Sequence, residues 1–395
     1  MRILIAHNRY KYAGGEDTAM RSEAEMLLAA GHLVEMLVVD NAEIQTHADK
    51  IIAAASIFHS QQSNRRMKEA LQAFDPDVVH IHNWFPLLSP SVIAVARDAG
   101  VPVVQTLHNF RMLCANGVLF RDGKICHECV NKVLPLAGLR HGCYAGSRIG
   151  TSVVSGAFAY HRLARTWDAI STFIAVSEFQ RELLIEGGLC AAQIKVKPNF
   201  VRDTREVGDG RGGYALFVGR LTQEKGIRTV LKVWEEKKAR LPLKILGTGP
   251  LADEVRQRAV RLPDVEYMGH QPSADVCAAM AAAKFLIFSS EWYEPFALTI
   301  VEAFSQGTPV IAAHIGANAA LVEDGRTGLR FIPGDAEDLA AKIELFLANT
   351  SNYRAMRLQC RKVYEDRYTD KVNLKLLTDI YTAAIRKKRV RPIMA

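Results

Sequence analysis

Two glutamates with seven residues between them, Glu294 and Glu302, have the spacing in this 395-residue chain that most suggests chemistry. The residues between them follow Pro295 in an apolar, helical pattern that Gly307 is expected to end. The first turn of a buried helix offers free backbone N–H groups and the positive end of the helix dipole, which together bind phosphate. Eight residues at helical rise span roughly 12 Å, which fits a nucleotide sugar with one carboxylate on sugar hydroxyls, the diphosphate at the helix start and the other carboxylate on the ribose diol. Two solvated surface glutamates would show the same spacing by chance.

The residues around this pair match a known signature. The string EPFALTIVEAFSQGTPVIA, followed by GANAALVEDGRTGLRFIPGD, resembles the E-x7-E motif and downstream loop of retaining glycosyltransferases of family 4. The resemblance covers nearly the whole chain, and it implies that Glu294 holds donor sugar hydroxyls while Glu302 holds the ribose. It also implies that the helix start binds the diphosphate through the backbone N–H groups of Phe296, Ala297, Leu298 and Thr299. Two positions depart from the family: Ala297 stands where glycine is common and would crowd a left-handed backbone, and Ala320 stands where the loop usually carries glutamate.

Two cations follow the first predicted strand of the second half of the chain. They are Arg220, in the segment GRL, and Lys225, in the segment EKG. Negative charge grows on a diphosphate leaving group as the glycosyl–phosphate bond breaks, and fixed cations beside it lower the barrier. A solvated Arg/Lys pair is the plain alternative. The segment is similar to the family's G-R-L-x-x-x-K-G phosphate loop, which implies that both cations stabilise the departing diphosphate.

A glycine pair, Gly14 and Gly15, stands between the first predicted strand and the helix after it. Glycines there let the backbone approach a pyrophosphate or a sugar closely. A permissive loop without a ligand is the alternative. The pair resembles the first glycine-rich loop of the family, which implies a donor contact.

Histidines follow two further predicted strands of the first half. His108 ends a strand in the segment TLHN, where a lone histidine is often structural. Family 4 enzymes carry a histidine at this place that contacts the donor sugar, so the resemblance implies that His108 hydrogen-bonds the sugar and is not a nucleophile. His80 and His82 share one strand face by period two in the segment HIHNWF. Its aromatic and polar mixture is typical of acceptor-sugar sites and equally of packed core loops.

Four of the seven cysteines fall inside the segment 109–150, which has no clear helical or strand pattern; they are Cys114, Cys126, Cys129 and Cys143. A 40-residue irregular loop in a compact domain needs something to hold it. Four thiolates around Zn²⁺ would do so as a closed structural site, and Cys126 and Cys129 form a C-x-x-C pair. Reduced thiols, or a redox pair at Cys126 and Cys129, are the alternatives.

The elements that must position these groups alternate between strand and helix in both halves of the chain, which is typical of parallel, doubly wound sheets. Strands are predicted near 2–6, 33–39, 77–82, 102–107, 171–176 and 194–197, and again near 214–218, 243–247, 264–268, 284–289 and 308–312. The predicted fold class is α/β with the GT-B architecture, in which two Rossmann-like domains face each other and the last helix crosses back onto the first. The predicted domains are an acceptor-binding domain at 1–198, a linker at 199–213, a nucleotide-sugar-binding domain at 214–370, and a final helix with a basic tail at 371–395.

The net charge of +8 does not indicate nucleic-acid binding, because five of the positive charges lie in the last ten residues, at Arg386, Lys387, Lys388, Arg389 and Arg391. Such a tail is either solvated or binds anionic lipid at roughly 1 kcal/mol per residue. No apolar run reaches the ~18 residues of a membrane span, and the first residues read as a strand. A cytoplasmic location is expected, with peripheral association at the inner face of the membrane through the tail.

The resemblance to family 4 implies retaining transfer of a hexose from a nucleotide diphosphate sugar to a glycan or lipid-linked glycan. No catalytic metal is expected, because GT-B enzymes generally neutralise the diphosphate with protein groups. The triplet Asp75-Pro76-Asp77 could be mistaken for a metal-binding D-x-D motif, but it reads as a strand boundary. A nucleotide-sugar epimerase or phosphorylase of the same architecture, and a non-catalytic scaffold, are the alternatives.

Overall fold

The chain divides into two compact units in a computed structural model that describes residues 1–11, 14–203, 207–349 and 352–390, the side chains of 388–390 excepted. Unit 1 contains Met1–Leu119, Cys126–Pro198 and the chain from Asn373 onward. Unit 2 contains Phe120–Ile125 and Asn199–Val372. Each unit is an α/β domain built on a parallel sheet, which confirms the predicted fold class.

Six strands form the sheet of unit 1 in the order β2-β1-β3-β4-β7-β8, and every pairing is parallel. Their ranges are β1 (Arg2–Arg9), β2 (Leu33–Asp40), β3 (Val78–Asn83), β4 (Val103–Leu107), β7 (Ile170–Ala175) and β8 (Ile194–Val196). The central strands β3 and β4 are buried along their whole length. Strands buried on both faces are typical of a sheet covered by helices on each side.

The helices that cover this sheet are α1 (Gly15–Ala29), α2 (His47–Ser56), α3 (Gln61–Phe74), α4 (Ser91–Asp98), α5 (Leu136–His141), α6 (Arg148–Leu163) and α7 (Glu178–Glu186). Helix α2 was not predicted from the sequence. It begins at an N-cap threonine, Thr46, which forms a reciprocal capping box with Asp49. Only two of its ten residues, Ala53 and Ser56, are buried.

The segment 109–150 is less irregular than the sequence indicated. It holds a two-stranded antiparallel ribbon, β5 (Phe120–Arg121) and β6 (Lys124–Ile125), as well as helix α5. The turn of the ribbon requires a left-handed backbone at Asp122 and Gly123 (φ 51° and 76°), which glycine and aspartate tolerate best.

Six strands also form the sheet of unit 2, in the order β11-β10-β9-β12-β13-β14. Their ranges are β9 (Ala215–Val218), β10 (Leu243–Leu246), β11 (Val265–Gly269), β12 (Phe285–Phe288), β13 (Val310–Ala313) and β14 (Gly328–Phe331). The edge strand β14 was not predicted. Gly328 opens it because a Cβ there would lie 1.8 Å from the carbonyl oxygen of Val310 on the neighbouring strand.

Unit 2 contains the helices α8 (Ile227–Glu235), α9 (Ala252–Val260), α10 (Ser273–Ala282), α11 (Leu298–Ser305), α12 (Gly316–Leu321), α13 (Ala336–Ala348) and α14 (Tyr353–Arg367). Two apolar clusters form on opposite sides of the sheet, one around α8 and α13 and the other around α11 and α14. Strands β9 and β12 are therefore packed on both faces.

The last helix, α15 (Asp370–Val390), belongs to unit 1 from Asn373 onward. Its Tyr381 is fully buried, and the hydroxyl lies 2.7 Å from His80 Nδ1 of strand β3. Arg386 and Lys387 are exposed on its final turns, and the predicted tail residue Arg391 lies outside the described residues. Within the described part of the chain, no helix combines the length and apolarity needed to cross a bilayer.

Candidate active site

Glu294 lies in the loop after strand β12, and its side chain is almost completely buried in unit 2, with 7% of the residue exposed. One carboxylate oxygen, Oε1, receives three hydrogen bonds: from Ser290 Oγ at 2.6 Å, from Trp292 Nε1 at 2.8 Å and from the Lys225 ammonium. All three donors contact the same oxygen. The other oxygen, Oε2, has no hydrogen-bond partner among the described residues. The carboxylate is thus held rigidly with one acceptor atom left for a ligand.

Helix α11 starts beside this carboxylate without a side-chain cap. Its N-cap is Ala297, with φ −91° and ψ 83°, so the helix begins at Leu298, three residues after Pro295. Ala297 is not left-handed, and the crowding expected of a residue in place of the family's glycine does not arise. The backbone N–H groups of Leu298 and Thr299 lie in the first turn, where no carbonyl of the same helix can accept their hydrogen bonds. The end of the helix follows the prediction, since Gly307 is left-handed at φ 66°.

Glu302 lies in the middle of helix α11 and is half-buried. Among the described residues no cation or hydrogen-bond donor contacts its carboxylate. Burial alone raises the pKa of Glu302 to about 7. A carboxylate with a raised pKa and no protein partner suits a group that acquires its partner from a ligand.

The loop after strand β9 carries both predicted cations. Arg220 is exposed and forms no ion pair with any described residue, whereas Lys225 is paired with Glu294. The loop is fixed by close backbone contacts: the amide of Leu221 donates to Thr248 O at 2.9 Å, and a Cβ on Gly226 would lie 2.0 Å from Ser289 O. Only glycine fits at position 226, where φ is 68°.

In unit 1, His108 lies at the end of strand β4 and contacts a second histidine. His82 Nδ1 lies 3.0 Å from His108 Nε2, and the two rings are nearly parallel with centroids 5.3 Å apart. Burial lowers the pKa of His108 to about 3, so that its ring is neutral at physiological pH. His80 and His82 were grouped as acceptor candidates, but both are buried, and the structure places them behind His108 in the interior of unit 1.

Glu23, His80 and His82 form a group whose ligand atoms lie within 4.8 Å of one another, close enough to suggest a metal site. Both nitrogens of His80 are already engaged, by Tyr381 OH at 2.7 Å and Thr106 Oγ1 at 2.8 Å. The Glu23 carboxylate is neutralised by the buried ammonium of Lys197, 2.5 Å from Oε1. Lys197 thus supplies the positive charge that the Glu23 carboxylate needs, and the group is a buried ion pair with neighbouring histidines.

The glycine pair of unit 1 lies at the start of helix α1. The Gly14 amide donates to Asp17 Oδ2 at 3.0 Å, and Asp17 Oδ1 lies 2.8 Å from His7 Nε2. Neither glycine has a positive φ, and a Cβ on Gly14 or Gly15 would meet no atom within 4 Å. The fold itself therefore does not require glycine at these positions, and open space remains beside the backbone.

The four cysteines of the 109–150 segment come near one another but do not form a ligand group. The Cys143 amide donates to Gly138 O at 3.2 Å, and a Cβ on Gly138 would lie 3.5 Å from Cys129 Sγ. Burial raises the pKa of the Cys129 thiol, and the thiols of Cys114, Cys143 and Cys126 raise it further. The four thiols do not form one of the groups of ligand atoms, among the described residues, that could hold a metal ion. The zinc site stays a prediction.

The sequence analysis did not identify three polar residues of the group around His80 and His82, namely Glu23, Lys197 and Tyr381. Glu23 could have been noticed, because it lies on the buried face of helix α1 among Ala19, Met20 and Leu27. A carboxylate on an apolar helix face needs a buried partner. Nothing local to the sequence indicates that Lys197, 174 residues away, is that partner.

Comparisons with known proteins cover both units. Residues 14–199 match the family described as "Glycosyl transferase 4-like domain", and residues 205–363 match "Glycosyl transferases group 1". A glycogen synthase of Mycobacterium tuberculosis is 27% identical over 332 residues, which are 80% of this chain and 71% of that protein. A phosphatidyl-myo-inositol mannosyltransferase of the same organism is 25% identical over 363 residues, 86% of this chain and 85% of that protein.

The fold is shared with solved structures along almost the whole chain. The crystal structure of HepE from Anabaena, in complex with UDP, superimposes with a TM-score of 0.69 at 18% identity and covers 97% of this chain and 100% of that one. Two glycosyltransferase family models that together span 14–363, with a fold match of this extent, identify the chain. It belongs to the family 4 glycosyltransferases of the GT-B fold and is a glycosyltransferase.

Proposed function

We propose that this enzyme transfers a hexose, with retention of the anomeric configuration, from a nucleotide diphosphate sugar to a hydroxyl of a glycan or lipid-linked glycan. The observation that carries the proposal is the arrangement on helix α11. An uncapped helix start lies between a carboxylate with one free oxygen, Glu294, and a carboxylate without any partner, Glu302. An uncapped helix start binds phosphate, and carboxylates accept hydrogen bonds from sugar hydroxyls.

In this proposal Glu294 Oε2 accepts a hydrogen bond from a hydroxyl of the donor sugar, and the Glu302 carboxylate accepts hydrogen bonds from both hydroxyls of the ribose. The amides from Phe296 to Thr299 bind the diphosphate. Arg220, which has no carboxylate partner among the described residues, adds positive charge as the leaving group departs.

Lys225 has two roles in the proposal. Its ammonium holds the Glu294 carboxylate in place, and it adds positive charge beside the leaving group. Gly14 and Gly15 of unit 1 have no side chain, so their backbone can come close to the donor. His108 hydrogen-bonds the donor sugar. No protein nucleophile is assigned.

The relatives support the choice of acceptor class. One is named a glycogen synthase and another a phosphatidyl-myo-inositol mannosyltransferase, so one acts on a glycan and the other on a lipid. HepE of Anabaena was solved with UDP and also with UDP-glucose, which supports a nucleotide diphosphate hexose as the donor. We infer that residues 1–198 bind the acceptor and residues 214–370 the donor, with 199–213 as the linker between them.

The test needs no knowledge of the acceptor, because water can take the place of the acceptor hydroxyl. Purified enzyme is incubated in EDTA with hexoses linked to UDP, GDP and ADP, and the released nucleoside diphosphate is measured. Hexoses linked to one of the three nucleotides should be hydrolysed, and the released hexose should at first have the same anomeric configuration as the donor. Glu294→Gln should lower the rate of hydrolysis by about a hundredfold.

The matched control is Glu291→Gln, three residues earlier in the same loop, where the side chain accepts a hydrogen bond from Thr229 that glutamine can also accept. It should keep the wild-type rate. Hydrolysis of no donor, or equal rates in Glu294→Gln and wild type, would contradict the proposal. Release of the opposite anomer would contradict only the retention of configuration and not the rest of the proposal.

The basic end of the chain is proposed to place the enzyme on anionic lipid at the cytoplasmic face of a membrane. Arg386 and Lys387 are exposed and lie on the last described turns of helix α15. Sedimentation with vesicles of phosphatidylcholine, with and without one-third phosphatidylglycerol, tests this. The wild type should bind the anionic vesicles and dissociate from them at high salt concentration. A variant truncated after Ile385 should bind neither kind of vesicle.

The four cysteines of the 109–150 segment are proposed to bind a structural zinc ion. The C-x-x-C pair follows the β5–β6 ribbon, and Gly138 lies against both Cys129 and the Cys143 amide. Metal analysis of protein purified without chelator should find one zinc per chain, and the double substitution of Cys126 and Cys129 by serine should abolish it. Protein without bound metal at full activity would contradict the proposal, and the reduced-thiol alternative would stand.

A further inference from the structure

A buried charged network lies behind His108 in unit 1. Lys197 is fully buried, and its ammonium lies 2.5 Å from Glu23 Oε1 and 3.1 Å from Asn373 Oδ1. Glu23 is 1% exposed. Burial acts to raise the pKa of Glu23, but Lys197 and the neighbouring histidines outweigh it and hold the pKa below its usual value. The carboxylate is therefore a fixed negative charge in the interior.

His82 lies between this charge and His108. Its Nδ1 is 3.0 Å from His108 Nε2, and its Nε2 is 3.7 Å from Glu23 Oε2. Both His82 Nε2 and Glu23 Oε2 are buried and lack a hydrogen-bond partner among the described residues. His108 Nδ1, the remaining nitrogen, has no hydrogen-bond partner in the described part of the chain. It is also not among the fully buried atoms that lack a partner, so part of it is exposed. It is the ring atom that a ligand can reach.

Two proton arrangements satisfy the contact between the histidines. Burial keeps both rings neutral, so each carries one N–H, and one ring must donate while the other accepts. If His82 carried its proton on Nδ1, the lone pair of its Nε2 would face the Glu23 carboxylate, and both buried atoms would repel each other. If it carries the proton on Nε2, that N–H faces the carboxylate across 3.7 Å, which is longer than a hydrogen bond but places opposite partial charges beside each other.

We propose that Glu23, acting through His82, fixes His108 as the tautomer that carries its proton on Nε2 and leaves Nδ1 as a hydrogen-bond acceptor. His108 Nε2–H donates to His82 Nδ1, and His108 Nδ1 then accepts a hydrogen bond from a hydroxyl of the donor sugar. Glu23 and His82 are positioning residues in this account. The inference rests on the proposed function at one point only, the contact between His108 and the donor.

The tautomer can be measured without substrate by two-bond proton–nitrogen NMR on the full chain labelled with ¹⁵N-histidine, because protonated and unprotonated ring nitrogens differ widely in chemical shift. The wild type should show His108 with Nε2 protonated and Nδ1 unprotonated. His108→Gln identifies the resonance. A wild-type spectrum with the proton on Nδ1 overturns the proposal, whatever the variants do.

Glu23→Gln provides the sharper test. The glutamine oxygen can keep the contact with Lys197, and its amide then donates to His82 Nε2, which moves the His82 proton to Nδ1. His108 must in turn accept at Nε2 and carry its proton on Nδ1, so the variant should reverse the tautomer. Turnover should fall about a hundredfold, the effect of losing one aligned hydrogen bond at a reacting centre, with little change in KM for the donor.

Glu25→Gln is the matched control, since Glu25 is exposed on the same helix two residues away. It should leave both the spectrum and the turnover unchanged. An unchanged His108 tautomer in folded Glu23→Gln overturns the proposal. A reversed tautomer with unchanged turnover would show that His108 does not contact the donor, which removes that part of the proposed function but not the donor site around Glu294.

Discussion

The ammonium of Lys225 donates to Oε1 of Glu294, so two residues that were singled out separately in the sequence form one ion pair in unit 2. The ammonium also lies 5.7 Å from the Trp292 ring centroid, and Trp292 Nε1 donates to the same carboxylate oxygen. The positive charge that the family resemblance assigns to the diphosphate thus also orients the carboxylate that is proposed to hold the sugar. Neither residue can be altered without affecting the other.

This pairing predicts strong coupling between the two side chains. Lys225→Met leaves Glu294 nearly buried without its cation, and Glu294→Gln leaves Lys225 without its anion, so each single variant should lower the free energy of unfolding. The double variant should be less destabilised than the sum, with a coupling of about 1 to 3 kcal/mol. Urea titration followed by tryptophan fluorescence measures it. Additive effects would show that the ion pair contributes nothing to stability.

The raised pKa of Glu302 predicts a pH-dependent stability. The folded-state value of about 7 lies above the usual 4.5, so the stability that the neutral carboxyl provides is complete below pH 4.5 and is lost as the pH rises to 7. The wild type should lose about 3 kcal/mol relative to Glu302→Gln across this interval, and the difference should be constant above it. Unfolding titrations at several pH values check this. A pH-independent difference would mean that Glu302 titrates normally.

The buried pair of Lys197 and Glu23 predicts that removing one partner is worse than removing both. Lys197→Met should leave the Glu23 charge buried and uncompensated, at a loss of about 3 to 5 kcal/mol. Adding Glu23→Gln should recover much of it. Lys195→Met is the control, because Lys195 is exposed on strand β8, which ends one residue before Lys197. Thermal unfolding followed by circular dichroism gives the order of stability of the variants. A double variant no more stable than Lys197→Met would contradict the explanation.

The backbone at Gly226 predicts a loss of both stability and donor binding in Gly226→Ala. The new Cβ would lie 2.0 Å from Ser289 O, so the loop that carries Lys225 must move. Gly325→Ala is the matched control, because Gly325 has a similar φ of 74° but open space around it. The control should lose only the roughly 1 to 2 kcal/mol of a left-handed alanine. Equal losses in both variants would show that the contact with Ser289 has no effect.

Much of the fold follows from local patterns, because buried parallel strands are apolar runs bounded by turn residues. The strands before the loops of Arg220, Glu294 and His108 were predicted for this reason. Helix α2 and strand β14 were not, since α2 is mostly exposed and β14 starts at a glycine whose role depends on the neighbouring strand.

The candidate site could be predicted only where its residues are close in sequence. Glu294 and Glu302 lie on one loop and one helix, and their spacing already indicated a shared ligand. Lys225 pairs with Glu294 across 69 residues, and Tyr381 reaches His80 across 301 residues. Contacts at such separations depend on how the sheet and the last helix pack, which no local pattern records.

The central claim is that Glu302 binds the ribose of a nucleotide diphosphate sugar, and calorimetric titration tests it most directly. The nucleoside diphosphate that binds the wild type is compared with its 2′,3′-dideoxy form, in the wild type and in Glu302→Gln. The wild type should bind the natural nucleotide at least tenfold more tightly, equivalent to about 1.4 kcal/mol, and Glu302→Gln should lose most of this preference. If no nucleoside diphosphate binds, or if the variant keeps the full preference, the account of this site is wrong.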